Sequence, residues 1–422
     1  MLNEKGEREL AYIVTIDEIK SIEGYDRVEY ARVNGWWVIV GLNQFKVGDL
    51  AVYIEVDSKV PSNKESFAFL EKRDYRIKTQ KMCKVVSQGL LMSLSDFPEL
   101  FFEDLATLNN LEWCYKKGVK SNLPAQSVKV GDFLTKELGI TYYLAADNER
   151  KRKSPDKYAK MAARHSKLFK NNKIVQWLYK HTWGKKLLFF FLGKKKDNSG
   201  WPAWVIKTDE ERCQNLPQLF PGDATKWIVT EKIDGSSTTF TMRGRGKRKE
   251  FYVCSRNVCF DTPEKAEKCY YENNIYLEMA EKYKIQEVLA DIMEKNPDLD
   301  FVTLQGETYG EGVQKRDYGL KGRDFMAFNL IFGYLDGHTE RCNPVEMTEI
   351  LSYCKIPCVP IIIPDDYMEG LVLPKTCDEL LAFADGTSEI DGGMREGLVF
   401  RSFDGEQSFK AVSNKFLLKY HS

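Results

Sequence analysis

The segment Thr230-Glu-Lys-Ile-Asp-Gly-Ser236 places a lysine at the end of a β-rich run, a carboxylate two residues on, and a glycine directly after it. Strand alternation predicts Lys232 and Asp234 on one side of the chain, with Gly235 permitting the turn that exposes them. A lysine amine is a nucleophile only when neutral. Its reference pKa of about 10.4 must therefore be lowered by burial or by nearby positive charge, which a divalent metal and Lys410 could supply. Lysine, aspartate and glycine are common residues, so this segment alone is weak evidence.

The ordered series of motifs downstream of Lys232 carries the weight. Ser255-Arg-Asn comes first, then Gly306-Glu-Thr-Tyr-Gly310 closing a predicted strand, then the strand Phe325-Met-Ala-Phe-Asn-Leu330. Arg395-Glu-Gly-Leu-Val-Phe400 and Phe409-Lys-Ala-Val-Ser-Asn-Lys-Phe-Leu-Leu-Lys419 complete the series. Asp234, Glu307 and Glu396 are suited to hold the water shell of magnesium or manganese, ions that take oxygen ligands and keep several waters. The loop Gly244-Arg-Gly-Lys-Arg-Lys-Glu250 lacks the spacing of a phosphate-cradling P-loop and reads as a basic hairpin turn.

With these six collinear blocks the chain resembles the covalent nucleotidyltransferase superfamily of polynucleotide ligases and capping enzymes. The resemblance implies a catalytic set of Lys232, Asp234 and Lys410. It implies ATP bound by Glu231, Arg256, Glu307, Phe328, Glu396 and Lys410, with Phe328 stacked on the base and Lys410 at the α-phosphate. Glu307 is a metal ligand through water or a ribose ligand. Many relatives carry a second lysine two residues after the one matching Lys410; here that position is Val412, which leaves Lys415 or Lys419 as its replacement. Only three residues follow Lys419, so no OB domain is expected after the last block, unlike in DNA ligases and capping enzymes.

The elements that must position these residues fall into three stretches. Residues 1–144 read as β: Arg27–Val33, Trp36–Val40 and Leu50–Val56 are short and β-branched or aromatic, and Asn34-Gly35 is a hairpin signal. Strands are also expected in Tyr75–Thr79 and Ser87–Met92. An OB-like barrel fits, with an SH3-like barrel the alternative on pattern alone, and an OB barrel offers a nucleic-acid-binding face. Residues 145–200 read as a basic helical insertion, with 16 Lys/Arg and one acidic residue between Arg150 and Lys196, against 46 basic and 61 acidic residues elsewhere. Such an island points to a polyanionic partner. Residues 201–422 alternate strands and helices, including one helix within 263–295, and predict an α+β domain with antiparallel sheets. A β module ahead of this catalytic stretch resembles the RNA ligases typified by the Deinococcus and Naegleria enzymes.

Composition agrees with a globular protein of two or three domains, 422 residues long and 43% hydrophobic. The longest apolar run, Leu187–Leu192, is far short of a membrane span, and the N-terminus lacks a secretory core. Ten cysteines without zinc spacing read as reduced thiols, which suits a cytoplasmic or nuclear setting. The expected protein is a monomeric ATP-dependent RNA ligase. It would use magnesium or manganese to join 3′-OH and 5′-phosphate ends through a lysyl-AMP, acting on RNA in a nicked duplex or an RNA/DNA hybrid. A non-sealing RNA nucleotidyltransferase, or a nucleic-acid binder on a decayed ligase fold, stands as the alternative.

Overall fold

The computed structural model describes residues 1, 8–97, 100, 128–143, 172–181, 188, 201–207, 209–220, 225–260, 269, 273–362, 371–403, 405 and 407–421. The N-terminal part contains β1 (Ala11–Thr15), β2 (Glu18–Ile22), β3 (Tyr25–Val33), β4 (Trp36–Gly41) and β5 (Leu50–Ile54). It continues through the short strands β6 (Ser58–Lys59), β7 (Arg76–Ile77), β8 (Gln80–Met82), β9 (Val85–Ser87), β10 (Leu90–Ser93) and β11 (Thr141–Tyr142).

These strands form sheets ordered β1-β5-β10 and β2-β3-β4, with smaller ladders beside them, and they make an OB-like arrangement rather than one closed barrel. The central sheet is buried on both faces, which explains why its strands are apolar throughout. Ile13, Val52 and Ile54 enter one cluster with Phe67 and Phe97, while their neighbours Tyr12, Val14 and Tyr53 enter another with Trp36 and Val38. The Asn34-Gly35 hairpin forms as expected, Asn34 adopting φ 52°.

The C-terminal part begins with β12 (Glu211–Arg212), β13 (Trp227–Lys232), β14 (Ser236–Arg243) and β15 (Glu250–Ser255). It continues with β16 (Leu299–Gly310), β17 (Arg323–Tyr334), β18 (Thr339–Arg341), β19 (Gly397–Ser402) and β20 (Ser408–Val412). One sheet runs β15-β14-β16-β17-β18 and the other β12-β20-β19-β13. All their pairings are antiparallel except β12 with β20, an exception to the expected all-antiparallel pattern.

The single helix expected within 263–295 is two, Ile275–Lys282 and Ile285–Lys295, because Lys284 turns left-handed at φ 50°. Both pack on the five-stranded sheet through Ile275, Met279, Leu289 and Phe240. The helix Cys377–Ala384 covers the four-stranded sheet through Leu380 and Leu381 against Phe400 and Phe409. Between the sheets lies a small cluster of Ile233, Tyr309, Tyr318 and Val359.

The basic stretch 150–196 lies largely outside the described residues; within it Lys173–Lys180 is helical, and Val175 and Leu188 are buried together. Among the described residues no helix is long and apolar enough to cross a membrane.

Candidate functional site

A cavity of about 710 Å³ opens between the two C-terminal sheets, and Asp57, Arg76, Lys78, Tyr142 and Tyr143 of the N-terminal part form one of its walls. Glu231, Lys232, Asp234, Arg256, Glu307, Phe328, Glu396 and Lys410 all line it. Residues separated by as many as 179 positions are thus gathered by strand ends: Lys232 closes β13, Glu396 immediately precedes β19, Glu307 sits in β16 and Lys410 in β20.

Two clusters of charged side chains line the cavity. In one of them Lys232 Nζ donates to both oxygens of Glu396, at 2.8 and 2.7 Å. Burial pushes the Lys232 amine down, but Glu396, Glu307 and Asp234 together outweigh it and hold the amine above its ordinary value. This reverses the expectation of a depressed lysine: three carboxylates gather around the amine, and Lys410 points to a different partner. Burial pushes Glu396 up against the pull of Lys232. The Glu307 carboxyl is pushed to about 8 by burial, with Lys232 opposing and Glu396 and Asp234 adding to the rise.

In the other cluster Lys410 and Arg256 are both held by Asp209, at 2.8 and 2.7 Å. Phe328, also in the lining, is half-buried, its carbonyl accepting from Arg401 at 2.6 Å. Glu231 is turned toward the backbone, where one oxygen accepts from the Glu389 amide at 2.8 Å and the other has no partner.

Gly235 serves the turn by close approach rather than by a left-handed backbone. A Cβ there would lie 2.4 Å from the Thr308 carbonyl oxygen and 2.8 Å from Glu307. Lys415 and Lys419 do not enter the cavity: Lys415 pairs with Asp385 at the surface and Lys419 lies over Tyr420, both on the exposed side of a helical segment after β20 that gives Leu417, Tyr420 and His421 to the cavity instead.

Two family models match the sequence, one described as an OB-fold domain over residues 10–94 and one as RNA ligase over residues 225–421. The chain is an RNA ligase with an N-terminal OB-fold domain. Solved structures of the Naegleria gruberi RNA ligase align along nearly all of it. A variant with ATP and manganese is 27% identical with TM-score 0.67, covering 98% of this chain and 99% of that one. A second variant with ATP and manganese is 28% identical with TM-score 0.68, covering 98% and 100%. The Naegleria enzyme with pyrophosphate is 28% identical with TM-score 0.67, covering 97% and 98%. No curated protein sequence matches.

The ligase cavity contains residues that sequence reasoning did not single out. The Tyr318 hydroxyl accepts from the Asp234 amide at 2.7 Å, and Gln314 donates to the Gly235 carbonyl at 2.8 Å, so the loop after β16 grips the turn that follows the lysine. His421 Nε2 stands 3.3 Å from Asp234. Arg212 lies beside Lys410 through the β12–β20 pairing and has one buried nitrogen without a partner. The six blocks gave no signal for these residues, since strand pairing and a chain reversal bring them in.

The Glu307 carboxyl yields a stability prediction whose sign is opposite to the usual acidic case. Its folded pKa, about 8, lies above the unfolded value of about 4.3, so the folded state loses stability as pH rises between the two. Glu307→Gln is therefore expected to raise the thermal midpoint, with a gain that grows from pH 5 to pH 8. Melting curves of both proteins at those pH values check it, and a gain that shrinks with pH contradicts it.

Proposed function

We propose that this RNA ligase uses ATP, that Lys232 is its nucleophile, and that it seals RNA 3′-OH to 5′-phosphate ends through a lysyl-AMP and an adenylylated 5′ end. The observation that carries this is the single cavity whose lining joins an amine among three carboxylates to the cations Lys410 and Arg256. Lys232 Nζ must shed a proton to attack. Glu396 is within hydrogen-bond reach, and its raised affinity for protons makes it the acceptor. The amine then attacks the α-phosphorus and pyrophosphate leaves. AMP next passes to the RNA 5′-phosphate, and the 3′-OH displaces AMP as the phosphodiester forms.

Lys410 and Arg256 neutralise phosphate oxygens, Phe328 stacks on the base, and Glu231 borders the nucleotide with its unpartnered oxygen. Magnesium or manganese fits beside Asp234, Glu307 and Glu396. One buried oxygen of Asp234 has no partner, and the carboxylates repel one another. Asp234, Glu307 and Glu396 would hold the ion through its water shell, which magnesium and manganese keep in part. When bound it supplies positive charge to the carboxylates and the α-phosphate. Residues 1–144 serve as the RNA-binding module, residues 145–200 as a basic linker that strengthens backbone contacts, and residues 201–422 as the catalytic unit. The substrate is a nicked duplex or RNA/DNA hybrid, and the enzyme works as a cytoplasmic monomer.

The full chain incubated with α-labelled ATP or GTP and either metal, then denatured, is expected to carry label from ATP. Added nicks with an RNA 3′-OH should discharge the label and be sealed. Label without sealing would identify a non-sealing nucleotidyltransferase, and no label under any condition would sink the reading.

A further inference from the structure

Asp209 lies between the two matched stretches and touches three cations at once. Its Oδ1 accepts from Lys410 Nζ at 2.8 Å, and its Oδ2 accepts from Arg256 Nη2 at 2.7 Å and Arg8 Nε at 2.8 Å. Arg8 belongs to the N-terminal part and also reaches Glu55 at 3.2 Å and the Glu210 carbonyl at 3.4 Å. The carboxylate thus joins both cations of the second cluster to the N-terminal part of the chain.

We propose that Asp209 is a positioning residue for nucleotidyl transfer, which sets Lys410 and Arg256 as a paired grip on phosphate and is itself anchored from the N-terminal domain by Arg8. The inference rests on the reading of the cavity given above.

A second geometry would use the same contacts differently: Asp209 could stand in for a phosphate and be expelled when one arrives. Two observations favour positioning. Arg8 holds Asp209 from outside the cavity, since it is not among the lining residues, so an incoming phosphate leaves that contact in place. Lys410 also needs a counter-charge. Burial pushes its amine down to about 8 against the pull of Asp209, while Arg8, Arg212 and Lys232 push it further down. Lys410, Arg8 and Arg256 in turn hold the Asp209 carboxyl well below the usual carboxylate range. Removing an opposite charge at this distance lowers a lysine by about 1–3 pH units. Without Asp209, Lys410 would be largely neutral at physiological pH and would lose its attraction for phosphate.

The sign of the effect is set by the charge of Lys410. It acts as a cation, so activity falls as pH rises through its titration, and Asp209→Asn moves that alkaline limb to lower pH. Single-turnover transfer of AMP to the full chain, at saturating ATP and fixed manganese, is to be measured from pH 6 to pH 9. In Asp209→Asn the rate is expected to fall about tenfold at pH 8 and less than about threefold at pH 6, a narrowing that a limb shift of that size produces. Asp209→Glu should recover most of the rate.

Lys410→Arg, whose guanidinium stays charged over this range, should lack the alkaline limb. That variant keeps the test open if Asp209→Asn fails to fold. A rate ratio that does not change with pH, tighter ATP binding with an unmoved profile, or an alkaline limb retained in Lys410→Arg would each overturn the proposal. If the unsubstituted chain takes no label, the parent reading fails instead.

Discussion

Lys232→Ala, incubated with α-labelled ATP and a divalent metal and then denatured, is expected to carry no covalent label, at least on the order of 10⁴-fold below the unsubstituted chain. The residue has two physical duties, and they can be separated. Its amine is the group proposed to bond with the α-phosphorus, and its charge balances the carboxylates of Glu396, Glu307 and Asp234. Alanine removes both, so that protein should also unfold more easily, and increasingly so as pH rises through the titration of Glu307, where the carboxylates repel without a counter-ion. Lys232→Arg restores the charge and a donor to Glu396 but not the chemistry, because a guanidinium does not give up its proton in this range. The arginine protein is therefore expected to recover stability without recovering label. Persistent label in the alanine protein would move the nucleophile elsewhere. Equal stability of the alanine and arginine proteins would remove the charge-balancing role.

The candidate site was legible to the extent that short stretches of chain carry it. Lys232, Asp234, Glu307, Glu396 and Lys410 each sit at or beside a strand whose β-rich pattern marks it, and strand order alone brings them to one cavity. The hairpin at Asn34-Gly35 was readable for the same reason. What the sequence could not supply were contacts that depend on three-dimensional pairing. Asp209 reaches Lys410 across 201 positions, and Arg212 stands beside the same lysine through a two-residue parallel strand too short to show any periodicity. The charge state of Lys232 is not readable from the motif, because the number of carboxylates within reach of one amine is a property of the fold. Lys415 and Lys419 are near in sequence to the position of a missing lysine, yet nearness along the chain is not nearness in space. The helical segment after β20 turns both outward while its other side lines the cavity.

The second large effect is expected at Asn215, where the OB-fold part meets the ligase part. Its side-chain oxygen accepts from the Tyr12 hydroxyl at 2.9 Å and from the Trp36 indole, and its nitrogen donates to Glu55 at 2.7 Å and Glu211 at 2.8 Å. The amide thus uses two donors and two acceptor positions, its full complement, in a site where Asn215, Tyr12, Trp36 and Glu55 are all buried. Tyr12, Trp36 and Glu55 come from the N-terminal strands, so one side chain satisfies polar groups of both parts. Asn215→Leu keeps the volume but takes this partner from two carboxylates and from the Trp36 indole N–H, and leaves the Tyr12 hydroxyl with Glu55 alone at 3.1 Å, at about 1–3 kcal/mol for a neutral group left unpaired. A total loss of about 3–5 kcal/mol is expected, as for other broken buried polar networks. Asn215→Asp is the sharper probe, because it keeps the shape and both acceptor positions but turns a negative oxygen toward Glu55 and Glu211. Urea unfolding of the full chain, followed separately by tryptophan fluorescence and by loss of AMP labelling, should show both variants unfolding earlier. The fluorescence transition should split as the N-terminal part releases first. An Asn215→Asp protein within about 0.5 kcal/mol of the unsubstituted chain, the range of ordinary surface changes, would mean that the two parts are held together by other contacts.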